Sequence, residues 1–144
     1  SLIERMSHEA LRMTSPVMHM RRTATQDTEI AGQKIAEDEK VIMWYGAANR
    51  DPAVFPNPDV FDMTRKNVEK HVAFGHGVHR CLGNRIAQMQ LNMAYERILE
   101  RFPNIHWTGK QKIEPIILVH AISSLKVNLY GKGAKRPTQV SVPG

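Results

Sequence analysis

The first apolar residues of the chain recur three or four positions apart. This spacing places one apolar stripe along a helix and predicts a helix over residues 2–13. The helix should end before Ser15, because Pro16 disfavours helical angles in the residue that precedes it. Residues 16–25 then have an extended pattern. The stripe consists of Leu2, Ile3, Met6, Ala10 and Met13.

Short runs of β-favouring residues follow this helix. A glycine separates two such runs within residues 29–35, which predicts a hairpin, and Val41–Tyr45 is the strongest strand candidate of the chain. Residues 51–65 hold three of the eight prolines together with apolar residues, which predicts a packed coil without a helix or a central strand. Further short strands are predicted over residues 105–107, 115–122 and 125–130.

A second apolar stripe predicts the longest helix, from Cys81 to about Arg101. Because four methionines fall on the two helical stripes, we expect these side chains to fill a core. Two main helices, small sheets and a proline-rich coil make an α+β fold the prediction. The second stripe consists of Leu82, Ile86, Met89, Met93, Ala94, Ile98 and Phe102, and the four methionines are Met6, Met13, Met89 and Met93.

The composition of the chain excludes several classes of site and partner. The 144 residues carry a net charge of +6 and a single cysteine. One cysteine excludes an internal disulfide framework and a multi-thiolate metal cluster built from this chain alone. The charge admits an acidic protein partner, but no predicted helix clusters Lys and Arg with aromatic residues as nucleic-acid binding requires. The sequence holds neither an 18-residue apolar run nor a signal peptide, and we expect a soluble, cytoplasmic protein.

Residues 74–83 have the composition of a loop that approaches a flat ligand closely. Gly75 and Gly77 precede Cys81, and glycine takes positive φ without penalty. At the start of the second helix, the sulfur would lie beside Arg80 and the positive end of the helix dipole, which both stabilise a thiolate. Such a thiolate is suited to bind a metal. The alternative interpretation is a buried, inert cysteine.

The spacing Phe-x-x-Gly-x-x-x-Cys-x-Gly in this loop resembles the haem-thiolate signature of cytochromes P450. The resemblance implies a haem b cofactor, with Cys81 as the proximal iron ligand and the catalytic residue. It also implies that Phe74 packs near the sulfur and that His79 reaches a haem propionate. The glycines of the cofactor-binding loop would be Gly75, Gly77 and Gly83.

Two earlier segments resemble motifs of the same family. Glu9 and Arg12 are three residues apart on the first helix and resemble a Glu-x-x-Arg motif, which is structural and holds the proline-rich coil. Arg22 resembles the arginine that binds a haem propionate. A guanidinium suits that task because it offers paired donors and a permanent charge. The adjoining Arg21 is the alternative for this role.

The proline-rich coil resembles the meander of the family, with one departure. Many members carry Arg or His at a position of this coil, where it completes a triad with Glu9 and Arg12. This chain carries Val60 there. Arg65 and Arg50 are the candidates to take its place, and the sequence does not choose between them.

The resemblance also implies partners. The substrates would be O₂ and a lipophilic molecule, such as a terpenoid, a branched lipid or a steroid, with a linalool-like monoterpene as one candidate. Electrons would come from NAD(P)H through a reductase and an acidic ferredoxin, whose docking would use basic residues around the loop; a plain solvated basic surface is the alternative. These basic residues are Arg80, Arg85, Lys66 and Lys70. The implied substrate contacts are Val17, Met18, Ala121 and Ile122.

The resemblance covers residues 1–130, which would form the C-terminal haem-thiolate part of a cytochrome P450. A basic, flexible tail would follow over residues 131–144, and the N-terminal part of the mainly α fold would be absent. The implied function of the parent protein is that of a monooxygenase that inserts one oxygen atom of O₂ into a C–H bond, and this chain alone is expected to be inactive. The alternative is a haem-free, catalytically inactive fragment.

Overall fold

A computed structural model describes residues 1–132 of the chain. The basic tail predicted after residue 130 lies outside the described residues, apart from Gly131 and Lys132. The helices are α1 (Leu2–Thr14), α2 (Tyr45–Ala48) and α3 (Asn84–Arg101), and 3₁₀ turns lie at Val68–Lys70 and Gly77–His79. The strands are β1 (His19–Thr23), β2 (Thr28–Ile30), β3 (Gln33–Ile35), β4 (Lys40–Trp44), β5 (His106–Glu114) and β6 (Ala121–Asn128).

Both ends of α1 are capped. Ser1 is the N-cap, and its Oγ accepts a hydrogen bond from the backbone N–H of Glu4 at 3.1 Å, while its amino group donates to the Glu4 carboxylate at 3.2 Å. At the other end, Ser15 adopts a left-handed conformation with φ of 39°, and its N–H donates to the Leu11 carbonyl at 2.9 Å. The helix predicted before Pro16 is therefore confirmed.

The strands form three two-stranded antiparallel sheets within the described residues. In the first, β1 pairs with β4, so that His19 lies opposite Trp44. The second is the predicted hairpin of β2 and β3, whose turn has positive φ at both Ala31 and Gly32. The third pairs β5 with β6.

The strand predicted over residues 115–122 is wrong for its first six residues. They connect β5 to β6 and lie against the segment that follows α1 instead of continuing the hairpin. Val119 forms an isolated bridge with Val17, and the N–H of Met18 donates to the Leu118 carbonyl at 2.9 Å. The connection between the two strands is thereby held beside the end of α1.

The second long helix begins later than the sequence pattern predicts. α3 starts at Asn84, with Gly83 as its N-cap, so Cys81 lies in the turn before the helix and not at its start. Both the backbone N–H and the side-chain Nδ2 of Asn84 donate to the Cys81 carbonyl, at 3.3 and 2.9 Å. These bonds close the turn and delay the first helical residue.

The expectation that the methionines fill a core is wrong for α3. Met89 and Met93 are 55% and 56% exposed, and no residue of α3 is buried. The main neighbour of this helix among the described residues is α1, so most of the apolar stripe faces away from other elements. Met6 and Met13 on α1 are half-buried.

The buried centre lies between α1 and the proline-rich coil, and it is more polar than apolar. Its apolar members are Leu11, Phe55, Val68 and Ala73. Its polar members are Ser7, Glu9, Arg12, Ser15, Asn49, Arg65 and His71. No helix within residues 1–132 is long and apolar enough to cross a membrane. The helices and small sheets confirm the predicted α+β class.

Candidate functional site

The centre of the fold is a buried carboxylate held by two guanidinium groups. Arg12 binds Glu9 through two nitrogens, at 2.7 and 2.8 Å, and both side chains are 0% exposed. Arg65 donates to the same carboxylate at 3.4 Å, and the backbone N–H of Asp62 donates at 2.9 Å. Burial alone would raise the pKa of Glu9, but these hydrogen bonds and the two positive charges outweigh it and lower the pKa.

The structure places Arg65, and not Arg50, at the third position of this cluster. Arg50 instead pairs with Asp59 at 3.1 Å near the surface. Arg65 also donates to the Pro56 carbonyl at 2.6 Å and to the Val60 carbonyl at 3.2 Å. Val60 therefore contributes its backbone carbonyl where many family members would contribute a charged side chain.

The two guanidinium groups hold the proline-rich coil by its carbonyl oxygens. Arg12 donates to the carbonyls of Asn49 and Pro58, each at 2.8 Å. A coil without helix or sheet bonds must satisfy its backbone groups in another way when it is buried. The hydrogen bonds from the charged cluster satisfy several of these carbonyl groups.

The loop that carries Cys81 is closed by its own backbone. The N–H of Cys81 donates to the Phe74 carbonyl at 2.9 Å, and the N–H of Arg80 donates to the Gly77 carbonyl at 3.0 Å. Gly75 and Gly77 have φ of 73° and 69°, a region that side chains disfavour. The bends at these two glycines place Cys81 at the surface, and its exposure contradicts the alternative of a buried cysteine.

His71 lies beneath this loop and links it to α1. Its Nδ1 accepts a hydrogen bond from the Ala73 N–H at 3.2 Å, and its Nε2 lies 3.2 Å from Nδ1 of His8. The neutral ring of His71 therefore carries its proton on Nε2, the nitrogen that faces His8. Burial is the largest effect that lowers the pKa of His71, and the electrostatic effects of His8, Arg80 and Arg12 act in the same direction. The negative charge of Glu9 raises it, and the resulting pKa is about 4. His71 is thus neutral at neutral pH.

A cavity of about 490 Å³ lies between the Cys81 loop, the end of α1 and the first sheet. Its walls are mostly apolar, with one guanidinium, one imidazole and the cysteine. The lining residues are Leu11, Pro16, Val17, Met20, Arg22, Tyr45, Ala73, Phe74, Gly75, His79 and Cys81. Residues that are more than fifty positions apart in the sequence thus share one cavity.

The structure brings most of the predicted cofactor-binding residues to this cavity. Arg22 lies on it, whereas the alternative, Arg21, does not line it. Gly77 and Gly83 do not line it either. Gly77 supplies a bend of the loop, and a side chain at Gly83 would approach the Cys81 sulfur, since a Cβ there would lie 3.8 Å from Sγ.

The four predicted substrate contacts do not share one surface. Val17 lines the cavity of Cys81, whereas Met18 and Ile122 line a second apolar cavity of about 440 Å³ near Trp44. Ala121 lines neither. The two segments do meet, because Val17 pairs with Val119.

Sequence analysis missed several residues that shape the site. Leu11, Tyr45 and Ala73 line the cavity, and Asn49 and His71 lie buried behind the loop. An isolated polar residue such as Asn49 carries no periodic signal, and its burial depends on contacts distant in the sequence. Asn49 begins the Asn-Arg-Asp-Pro sequence, which resembles part of the family's meander but does not indicate that this side chain is buried.

Comparison with known proteins identifies the family. The cytochrome P450 family model matches residues 1–127. The chain belongs to the cytochrome P450 family. Linalool 8-monooxygenase of Pseudomonas putida is 42% identical over 131 residues, which cover 91% of this chain and 32% of that protein. Steroid C26-monooxygenase of Mycobacterium tuberculosis is 38% identical over 126 residues, which cover 88% of this chain and 34% of that protein.

The fold is also found in solved structures of P450 enzymes. The crystal structure of P450BioI in complex with an acyl carrier protein ligated by hexadec-9Z-enoic acid matches with a TM-score of 0.84 at 39% identity. The match covers 89% of this chain and 33% of that one. The chain thus spans about a third of the length of the relatives it matches.

The residues around the first cavity fit the haem b group that the family binds. Haem b presents a flat apolar ring, an iron atom and two carboxylates. The cavity supplies apolar walls, a sulfur at one side and the basic side chains of Arg22 and His79. Gly75 has a positive φ that side chains disfavour, and a Cβ there would lie 3.4 Å from the Tyr45 hydroxyl, so the loop passes close to α2 at this point.

Proposed function

We propose that this chain carries the proximal haem site of a cytochrome P450 monooxygenase. The reaction inserts one oxygen atom of O₂ into a C–H bond of a lipophilic substrate, releases water, and takes its electrons from NAD(P)H. The observation that carries the proposal is the single cavity that Cys81 shares with Arg22 and His79. We place the protein in the cytoplasm, where NAD(P)H is available.

Cys81 would bind the haem iron as a thiolate. The bound haem supplies the metal at which O₂ is reduced, and a thiolate ligand increases the electron density on iron and favours O–O cleavage. The chain holds the sulfur at the required place through the closed turn between Phe74 and Cys81.

Arg22 and His79 would bind the haem propionates. Arg22 offers a planar fork of N–H donors and keeps its charge at all relevant pH values. Phe74 and Val17 would contact the apolar ring or a substrate beside it, because both line the same cavity. Each of these side chains orients the cofactor without taking part in proton transfer.

A haemin titration of the 144-residue chain, followed by absorbance, tests this assignment. We expect binding with one equivalent, and at least tenfold weaker binding for Arg22→Ala. Arg21→Ala is the matched control, because that neighbouring arginine does not line the cavity, and it should change the affinity less than twofold. Equal effects of the two substitutions would contradict the role of Arg22.

The substrate is proposed to be a terpenoid, a branched lipid or a steroid. The names of two relatives, a linalool and a steroid monooxygenase, support this class. Val17 supports it as well, because an apolar side chain on the cavity favours an apolar ligand. We expect Val17→Asp to abolish binding of linalool to the haem-loaded protein and Val17→Leu to preserve it. Binding that survives the charged substitution would contradict this contact.

The electron donor is proposed to be an acidic ferredoxin, reduced by its NAD(P)H reductase. Four exposed basic residues lie on or near the Cys81 loop and would steer a negatively charged partner. They are Arg80, Arg85, Lys66 and Lys70. We expect Arg80→Glu with Arg85→Glu to slow association with an acidic ferredoxin at low salt, and Arg97→Glu on the exposed surface of α3 to have little effect. Equal slowing would indicate a plain basic surface.

A second candidate is a haem-free, catalytically inactive form of this chain. The exposed apolar side chains of α3 favour it, because they leave one face of the helix without packing partners among the described residues. The same haemin titration separates the two candidates. A chain that stays colourless with haemin in excess would support the inactive form and contradict haem binding by these residues alone.

A further inference from the structure

Asn49 directly follows the short helix α2, and its side chain is completely buried. All of its polar groups have partners. Its backbone N–H donates to the Tyr45 carbonyl at 2.9 Å, and its carbonyl accepts from Arg12 at 2.8 Å. Its side chain makes two further bonds, one to Ser15 and one to Val72. A buried carboxamide with both ends bonded is fixed in orientation.

The direction of each side-chain bond follows from the partners. The Ser15 hydroxyl donates its proton to the Arg12 carbonyl at 3.0 Å, so it accepts from Nδ2 of Asn49 at 2.8 Å. The opposite end, Oδ1, accepts from the backbone N–H of Val72 at 2.7 Å. The carboxamide therefore connects the end of α1 to the start of the Cys81 loop.

Val72 begins a short series of bonds that ends at the cysteine. Its carbonyl accepts from the N–H of Gly75 at 2.8 Å, which forms the first bend of the loop. The carbonyl of Phe74, inside that bend, accepts from the N–H of Cys81 at 2.9 Å. The anchor at Val72 thus lies two hydrogen bonds from the sulfur-bearing residue.

Helix α2 supports the loop at both of its ends. Asn49 follows its last residue and holds Val72, while Tyr45, its first residue, lies close to Gly75 and lines the cavity. Tyr45 and Asn49, at the two ends of α2, thus both lie against the bend between Val72 and Gly75. Because Asn49 also binds Arg12, the charged cluster is linked to the same anchor.

We propose that Asn49 is a positioning residue for the Cys81 loop, acting through the backbone N–H of Val72. This inference rests on the proposed function only for the role of the loop, which is to hold Cys81 for haem. The anchor itself is a property of the chain, and it can be measured without haem. Loss of the carboxamide would loosen the loop from Val72 to Cys81 while α1 stays folded.

Amide hydrogen exchange of the 144-residue chain tests the proposal. In Asn49→Ala, we expect exchange at Val72, Gly75 and Cys81 to become at least tenfold faster, with exchange in the middle of α1 changed less than threefold. Asn67→Ala is the matched control, because the Nδ2 of Asn67 also donates a hydrogen bond, but to the Val54 carbonyl and not to the loop. It should leave exchange in the loop unchanged within twofold.

Asn49→Asp is the conservative variant, since it keeps the oxygen that Val72 requires and loses the N–H that Ser15 accepts. We expect near-normal protection at Val72 in this variant. If the alanine variant does not fold, this measurement still tests whether Asn49 positions the loop. The proposal is overturned by unchanged loop exchange in Asn49→Ala, by equal acceleration in loop and α1, or by tenfold faster exchange at Val72 in Asn49→Asp.

Haem binding provides an independent readout. In the haem-loaded chain, we expect Asn49→Ala to reduce the fraction of thiolate-type spectrum after reduction and addition of CO, and Asn49→Asp to restore it. If the unsubstituted chain binds no haem, the proposed function fails, while the exchange data still decide the role of Asn49. If haem binds and the exchange data are negative, only the positioning role fails.

Discussion

Both long helices of the chain carry an apolar stripe, but their surroundings differ. α1 has four buried residues, Ser7, Glu9, Leu11 and Arg12, three of which are polar. α3 has none, although its apolar stripe is the longer of the two. Within the described residues, the buried side chains of α1 have polar partners in the proline-rich coil, whereas α3 contacts mainly α1.

The regions around α1 and α3 also differ in the contacts that stabilise them. Around α1, two guanidinium groups that bind the buried Glu9 carboxylate donate to several carbonyls of the coil, and Asn49, which precedes the coil, binds the backbone N–H of Val72 before the Cys81 loop. α3 contacts this region chiefly through the α1 face, where Gln88 lies 3.4 Å from the ring nitrogens of His8. Substitutions in the two regions should therefore differ in their cost.

The largest expected effect is that of Arg12→Ala. Removing this side chain leaves the Glu9 carboxylate buried without its closest charge partner, and we expect the free energy of unfolding in urea to fall by about 3–5 kcal/mol. The matched control is Arg97→Ala on α3, whose pair with Glu100 is exposed and should contribute at most about 0.5 kcal/mol. Similar losses for the two variants would remove the distinction between the regions.

The next effect is a dependence of stability on pH that comes from His71. Its pKa is about 4 in the folded chain, whereas an unfolded histidine titrates near 6.5. Above the unfolded value both states are neutral. As the pH falls from there towards 4, only the unfolded state binds the proton, so stability decreases by about 3 kcal/mol in total.

Urea unfolding between pH 7 and pH 4 measures this effect. His71→Asn removes the titrating ring and should flatten that part of the pH profile. His76→Asn, an exposed histidine on the Cys81 loop, should leave the profile unchanged. A profile that stays as steep in His71→Asn as in the original chain would assign the effect to another group.

The smallest expected effect is that of truncating the stripe of α3. Ile86→Ala and Met89→Ala remove side chains that are 59% and 55% exposed, and we expect each to change the free energy of unfolding by no more than about 0.5 kcal/mol. A loss of 2 kcal/mol or more would show that the stripe is buried, for example by association of two chains. Analytical ultracentrifugation at the same concentration would then detect that association.

The sequence predicted the two long helices, the hairpin within residues 29–35 and the position of the Cys81 loop because each depends on local features, whereas the short helix α2 was not predicted. Periodic apolar residues, a proline after Ser15 and glycines at fixed positions all act over a few residues. The start of α3 was missed because the side chain of Asn84 binds the Cys81 carbonyl, which no periodicity reports. The irregular conformation of residues 115–120 was not predicted because it depends on contacts with Val17 and Met18, about a hundred residues earlier.

The candidate site was only partly predictable for the same reason. Cys81 and the glycines belong to one motif, and the resemblance to the family extended the prediction to Arg22 and His79. Asn49 and His71 are single polar residues whose burial depends on the assembled coil. The choice of Arg65 over Arg50 likewise required the distances to Glu9, because both arginines have suitable chemistry.

The central claim is that the anchored loop presents Cys81 to haem as a thiolate. The most direct measurement is the absorbance spectrum of the haem-loaded 144-residue chain after reduction and addition of CO, compared with that of Cys81→Ser. We predict a red-shifted, thiolate-type Soret band for the original chain and its loss in the variant. A thiolate-type band that persists in Cys81→Ser, or a haem-loaded original chain that lacks it, would contradict the claim.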